Sequence, residues 1–554
     1  MSRRPSTPAA RRCGPKKATA CVRSCKGPSA VAAGFSLDEK TIPLQYLEKW
    51  TDWLCEGKVG PFNAALACLA VYCLVQIVVM ALLSHIVGTG VGVDDSEQLM
   101  YMHYLWAGYG GSQPPLYTWL ARLVAGVLGT NILALKIVKY LLIGVALASA
   151  FIAVRRLGYS SRAGAAAMFG LLLFPQMVWE MQHALTHSIA AFCFSVVLFL
   201  ALVELVQRRS LLAYVLFGVA IAAAILSKYN NVIFLAALIL STLSLRETRG
   251  VVLNRRFLIS VAVAVLLCLP TFYWSLTHTD QLLSHAGGFG MARENGVIQK
   301  ALTGVWGLGK AMLNFAGLPA GIFAVAFLIA RNRPAPSLQP PPWAEKLVWR
   351  TIAFAFAITI VLVLASGATQ FRDRWMLPIL VLLPTALAIH MDARGDRGRK
   401  VQDIAVFVGA TLAILVLPLT WYAHLYGGDS RGSVVRMDYT ALYAQLTANG
   451  PIRTTVSSWH WLGNLRLIDP DLIVLDEELP DFSHLLKEPA VLVTTNDKED
   501  VGAVLELLDQ AGYVADGPPQ QLAVPQLFGS DPPTRIVTVT RLKKVTAAAG
   551  AAPQ

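Results

Sequence analysis

Eleven apolar runs separated by short polar connections fill residues 64–422 of this chain, and they constrain its fold more than any other feature. They are Ala64–Val87, Ile132–Val154, Ala163–Trp179, Ile189–Val206, Leu211–Leu226 and Val232–Leu245. Phe257–Leu276, Ala311–Ala330, Thr351–Ser366, Met376–His390 and Ile404–Tyr422 complete the set. A helix crosses a bilayer with about 20 apolar residues, so the sequence predicts a mainly α, polytopic bundle of about eleven spans. Charged residues make up 15% of the 554, against roughly 25% in soluble domains. A soluble enzyme, a coiled coil and a disordered hub are excluded on that ground.

The first run begins too far from the N-terminus, and is too long, for a cleaved signal peptide, and reads as a retained span. The formal net charge is +13, from 47 Lys+Arg against 34 Asp+Glu. Its placement points to a membrane rather than to nucleic acid. Arg3, Arg4, Arg11, Arg12, Lys16, Lys17, Arg23 and Lys26 form a tail with no acid before Asp38. Alternate loops carry Arg155, Arg156 and Arg162, then Arg208 and Arg209, then Arg246, Arg249, Arg255 and Arg256. The same set continues through Arg331, Arg333 and Lys346 to Arg394, Arg397, Arg399 and Lys400. The opposite loops hold only Arg122, Lys228, Arg293, Lys300, Lys310, Arg372 and Arg374. Basic loops stay cytoplasmic and favour anionic lipid. The tail is therefore expected inside and, after an odd number of spans, the C-terminus outside.

Three domains are expected. Residues 1–62 are a basic tail in which Leu44, Leu47, Trp50, Trp53 and Leu54 recur at helical spacing, as an interfacial helix or a linker. Residues 63–426 are the membrane domain. Residues 427–554 turn polar and alternating, with strands at Leu472–Leu475, Ala490–Val493 and Arg535–Val539 and a helix at Val501–Ala511, a small outer α/β domain. Cys13, Cys21 and Cys25 lack a fourth ligand for zinc, and no cysteine lies beyond Cys268.

Charge beside a membrane is costly unless paired or used, which singles out the sparse outer loops. Just past the first span lies Val93-Asp94-Asp95-Ser96-Glu97-Gln98, with three carboxylates in four residues. Further on comes Gly108-Tyr109-Gly110-Gly111-Ser112-Gln113-Pro114-Pro115-Leu116-Tyr117-Thr118-Trp119-Leu120, turn-rich and leading into an aromatic, interfacial helix.

This pair of segments resembles the GT-C membrane glycosyltransferases: lipid A aminoarabinose transferases, protein O-mannosyltransferases and, most of all, rhizobial-type lipopolysaccharide galacturonosyltransferases. The likeness continues through Trp179-Glu180-Met181-Gln182-His183-Ala184-Leu185-Thr186-His187, Leu226-Ser227-Lys228-Tyr229 and Arg372-Asp373-Arg374-Trp375. It covers residues 64–380 and leaves out the tail and the outer domain. It implies a GT-C bundle in a bacterial inner membrane. The implied reaction is inverting transfer of a sugar from a polyprenyl-phosphate carrier to lipid A or lipopolysaccharide core on the periplasmic face, with a uronic acid as one candidate sugar. The partners implied are that donor, a glycolipid or glycan acceptor and membrane lipids. A flippase of lipid-linked sugar and a protein O-glycosyltransferase are the alternatives.

Asp94 matches the family's catalytic Asp and is the expected base. Asp95 or Glu97 would orient it, hold the acceptor or bind a divalent cation, the one cofactor left open. Lys228, Arg372 and Arg374 are expected to clamp the donor phosphate. The aminoarabinose enzymes place a Lys before Pro-Pro-Leu. Here Gln113 stands there, able to hydrogen-bond but uncharged, which moves the phosphate role to Lys228 or the Arg pair. Tyr117, Glu180, His183, His187 and Tyr229, in the shared segments, are expected to bind sugar or acceptor. Glu180, His183 and His187 also fit a metal site with Asp94, or plain interfacial residues satisfied by water. A lid is one reading of the loop His278–Lys310 with Gly287-Gly288-Phe289-Gly290; a passive connector is the other. Gly304–Lys310 has phosphate-loop spacing but Ala311 in place of Ser/Thr, and Gly88-Thr89-Gly90-Val91-Gly92 lacks dinucleotide-loop spacing.

Overall fold

The computed structural model describes residues 42–88, 90–110, 113–279, 296–330, 341–426, 434–495, 501–528 and 533–545. Residues 1–41, with Cys13, Cys21 and Cys25, and Gly287–Gly290 lie outside these. Residues 1–47 form one unit, described only where the helix Ile42–Glu56 begins, and Glu48–Gln554 form the other.

Each expected apolar run coincides with a helix or a bent helix pair. Polar residues at the run boundaries start several of them. Asn63, Asn131, Ser160 and Ser210 each accept a backbone N–H two or three residues on, capping the helices that begin at Ala64, Ile132, Ser161 and Leu211. Arg155 and Arg156 close Ile132–Arg156 at its negative dipole end.

Eleven spans are not all matched by long helices. Among the described residues, seven helices are long and apolar enough to cross a membrane. Two further pairs, Ser161–Leu171 with Gln176–His183 and Asp373–Leu380 with Leu383–Asp392, bend by 70° and 42° and raise the number to nine. The remaining two runs form Leu211–Ser227 and Asn231–Ser244, of 17 and 14 residues. At 1.5 Å per residue they reach only roughly 26 and 21 Å, short of a bilayer core. Their junction at Lys228–Asn230 interrupts the helix with polar side chains. The expected outer loop before Ala311 is also shorter than read. Val297–Ile329 is one continuous helix, so Gly304–Lys310 is helical and no phosphate-binding loop.

Arg162, almost fully buried, joins three segments by ion-pairing with Asp52 (2.5 Å), Glu56 (2.8 Å) and Asp403. Three carboxylates around one guanidinium satisfy its fork from three sides.

The C-terminal region builds a six-stranded mixed sheet. Thr454–Val456 lies parallel between Ile473–Leu475 and Ala490–Thr495. The long strand Thr534–Lys544 then pairs antiparallel with Ala490–Thr495, Tyr513–Ala515 and Gln520–Pro525. The three expected strands and the helix Gly502–Gln510 are present. The short strands Thr454–Val456 and Tyr513–Ala515 were not evident from alternation.

This domain docks on the acidic segment that follows the first span, which forms the helix Val93–Tyr101. Asn464 accepts the Val91 N–H (2.7 Å) and donates to the Val91 carbonyl (3.1 Å). The Ser96 hydroxyl donates to the His460 carbonyl (2.7 Å), and the Arg466 guanidinium to the Leu99 carbonyl (2.6 Å). Gly463 permits the approach, because a Cβ there would lie 2.1 Å from the Ser96 carbonyl oxygen.

Candidate active site

The helix Val93–Tyr101 starts at Gly92, whose missing side chain lets the chain pass His183: a Cβ would meet its carbonyl oxygen at 2.7 Å. Asp94 and Asp95 then occupy the first turn, where the helix dipole favours carboxylates. Consecutive positions on a helix point about 100° apart, and the two acids meet different surroundings.

Asp94 faces a cavity of about 660 Å³, whose wall includes Lys136, Glu180, His183, Leu185, Arg372 and Arg374. Its Oδ2 accepts the Leu185 N–H at 2.7 Å. Leu185 sits at φ 71°, the left-handed region, at the head of the helix Thr186–Arg208. A β-carbon-bearing residue there is strained, a condition that clusters at functional sites.

Asp95 turns inward. It is 1% exposed, with Lys136 Nζ at 2.9 Å from Oδ2 and Lys139 Nζ at 3.0 Å from Oδ1. Burial alone would raise its pKa, but the two ammoniums overcome this and hold the carboxyl below its ordinary value.

Further cations come from other elements, Arg372 and Arg374 in the cavity lining and Lys228 outside it. Arg372 and Arg374 flank the start of the single turn Asp373–Met376, and neither guanidinium bonds or ion-pairs with any described residue. Lys228, in the break between two short helices, donates to Ser188 Oγ (2.8 Å) and shares the field of Arg374, Asp94 and Arg372. Glu180 closes a π-helical turn, Gln176–Glu180, at the 70° bend. Such turns recur at functional sites. The His183 ring packs against Trp179 at 4.9 Å.

Not every expected site residue shares this cavity. Glu97, Gln113 and His187 line a separate space of about 10 Å³ with Thr118 and Glu478, too small for a substrate. There Gln98 bridges His187 Nε2 (3.2 Å) and the Thr118 hydroxyl (2.8 Å). Tyr117 is buried with its ring 5.9 Å from that of His187. Tyr229 is half-buried, its hydroxyl 3.4 Å from Ser275 Oγ. Removal from water pushes Glu97 up to about 8, with His460 opposing and Asp94, Glu478 and Asp476 reinforcing. His460 Nδ1 donates to Asp476 Oδ2 across 2.5 Å. Although burial works against its charge, Asp476, Glu97 and Glu478 lift it to about 10. Among the described residues, no group of three or more His, Cys, Asp or Glu side chains is arranged to hold a metal.

Lys136 and Lys139 were missed by sequence reading. The signal was present: two lysines three apart, on one helical face, inside an otherwise apolar membrane run. His460, Asp476 and Asn464 carried no local signal, since their partners lie far away in the chain.

The bent-helix membrane bundle, with an acidic helix after its first span and a C-terminal sheet domain, has the fold of a solved bacterial membrane protein. ArnT from Cupriavidus metallidurans, solved bound to undecaprenyl phosphate, matches with a TM-score of 0.52 at 15% identity, over 88% of this chain and 99% of ArnT. The family described as dolichyl-phosphate-mannose-protein mannosyltransferase matches residues 112–274. The lipopolysaccharide core galacturonosyltransferase RgtB of Rhizobium johnstonii is 29% identical over 441 residues, 77% of this chain and 86% of that protein. RgtA of the same organism is 28% identical over 431 residues, 75% and 81% respectively.

Proposed function

We propose that this chain is a multi-pass membrane glycosyltransferase that moves a sugar from a polyprenyl phosphate to lipid A or lipopolysaccharide core. The transfer takes place at the periplasmic face of a bacterial inner membrane, the side to which the sparse outer loops are assigned by the basic-residue bias. The similarity to two lipopolysaccharide core galacturonosyltransferases over three quarters of the chain supports the sugar class and the acceptor. One observation carries the chemistry: a tethered carboxylate, Asp94, shares a cavity with two guanidiniums that have no described partner.

The reaction follows from that layout. The acceptor hydroxyl enters beside Asp94, which takes its proton through Oδ1, the oxygen not held by Leu185. The new C–O bond forms at the anomeric carbon as the bond to phosphate breaks on the opposite face, inverting the centre. Positive charge developing at the ring is stabilised by the carboxylate. Arg372, Arg374 and Lys228 receive the charge of the departing lipid phosphate, which then needs no protonating acid. Asp95 holds the helix in register through Lys136 and Lys139, and the C-terminal domain braces it from behind.

Mass spectrometry of envelope glycolipids tests this in a host lacking the protein, complemented with wild type or Asp94→Asn. Loss of one sugar mass, restored by wild type alone, is expected. Full restoration by Asp94→Asn would sink Asp94 as base and favour a flippase. An unchanged glycolipid profile would redirect the search to a protein acceptor, the kind named in the matching family's description.

A further inference from the structure

Between the helices Thr186–Arg208 and Leu211–Ser227 runs a groove of about 430 Å³ that shares no lining residue with the cavity of Asp94. Small side chains leave the space: Ala201, Ala213, Ala220 and Ala223 line it beside Phe194 and Leu216. Its wall is apolar except at one end, where Glu204, Arg208 and Ser210 form the rim. Glu204 pairs with Arg208 Nε at 2.5 Å and with Arg156 Nε at 2.8 Å, and both arginine side chains are about half exposed. Each guanidinium thus keeps its terminal NH2 groups unbonded to any described residue. Ser210 Oγ accepts the Ala213 N–H, which leaves its hydroxyl proton to donate.

Counting charges outward does not reverse the sign. The connection 245–256 is held against this rim by Arg256, which donates to the Arg209 carbonyl (3.3 Å), and by Tyr214, which donates to the Val251 carbonyl (3.1 Å). Residues 204–210 and 245–256 together carry six arginines against Glu204 and Glu247, and Arg155 and Arg156 add two more. Acids on the next elements are already engaged: Asp52, Glu56 and Asp403 by Arg162, and Asp392 by the Ser160 N–H. An apolar groove ending in free guanidinium forks fits a phospholipid, acyl chain in the groove and phosphate diester on the forks. The positive surplus favours a headgroup with no ammonium of its own. The rim stands at the opposite end of Leu211–Ser227 from Lys228, away from the cations assigned to the sugar donor.

We propose that this groove binds one anionic phospholipid from the leaflet on the basic-loop side, with its phosphate on Arg156, Arg208 and Ser210. The site is independent of the glycosyl-transfer reading.

The test uses the full-length protein, delipidated in detergent and titrated with phosphatidylglycerol or phosphatidylcholine, with bound lipid counted by native mass spectrometry. One phosphatidylglycerol should bind about 10-fold or more tighter than phosphatidylcholine. Arg156→Gln combined with Arg208→Gln should weaken phosphatidylglycerol on the order of 30-fold, about a factor of five for each basic side chain at the headgroup, and leave phosphatidylcholine unchanged. Ala201→Leu fills the groove without touching a charge and should also abolish the tight phosphatidylglycerol. It decides the matter if the arginine variant fails to fold. Equal binding of the two lipids, a preference that survives the arginine exchanges, or unaltered binding in Ala201→Leu would overturn the site. Displacement by inorganic phosphate at similar concentration would reduce it to a plain anion site. Displacement by polyprenyl phosphate at equal affinity would assign the groove to the donor instead.

Discussion

The two faces of the helix Val93–Tyr101 show how one short segment divides its work. Asp94 opens on about 660 Å³ of space, while Glu97, less than one turn later, looks into about 10 Å³. The open face shares its cavity with Arg372 and Arg374, whose guanidiniums bond no described residue; the closed face is packed against His460, Asn464 and Arg466 of the C-terminal domain. A site on an isolated loop would need substrate to order it. Here a folded domain clamps the back of the helix, so the front can present a charged group in a fixed direction.

That contrast can be broken from either side. Asp94→Asn should lower turnover about 1,000-fold, within the range for a general base, with the thermal midpoint in detergent unchanged. A midpoint that falls with activity would mean Asp94 is structural. Asp95→Asn should do the reverse. It strands two buried ammoniums, a change worth about 3–5 kcal/mol, and should appear as poor folding before any kinetic defect. Stability equal to wild type would refute the anchoring role. Replacing Arg372 and Arg374 together by Ala should cost about 100-fold in kcat, the order seen when charge-stabilising groups are removed, with little change in acceptor KM.

The smallest effect concerns pH. Glu97 holds its proton in the folded state from its ordinary 4.5 up to about 8, and His460 from 6.5 up to about 10. In both windows the folded protein binds more protons than the unfolded chain, so these groups make stability fall as pH rises. The decline should be steepest between pH 6.5 and 8, where the windows overlap. His460→Gln should flatten it over 6.5–10, measured as midpoint against pH. An unaltered slope would show that the closed face is electrostatically silent.

Much of the bundle was legible because membrane insertion imposes a coarse code: apolar runs, terminal caps such as Asn131 and Ser160, and basic loops. Asp94 was legible through its place after the first span and the Pro114-Pro115-Leu116 segment. Its separation from Glu97 was not, because three residues on a helix decide which neighbour is met only once both neighbours are in place. Lys136 and Lys139 were readable and overlooked. The Asn464–Val91 clamp was unreadable, since it joins positions 373 residues apart and leaves no periodic trace. Likewise the break at Lys228 turned two expected spans into short helices, a tertiary choice that hydropathy alone does not record.

The Leu185 N–H bond to Asp94 has a consequence for how acceptors can diversify. A main-chain amide fixes one carboxylate oxygen, and no side-chain substitution at position 185 other than proline can delete it. The bond takes one of the carboxylate's roughly four lone-pair sites and leaves Oδ1 open to an incoming hydroxyl. With Asp94 as the proposed base, variants that accept new glycans should reshape the approach corridor around a carboxylate that stays where the main chain holds it.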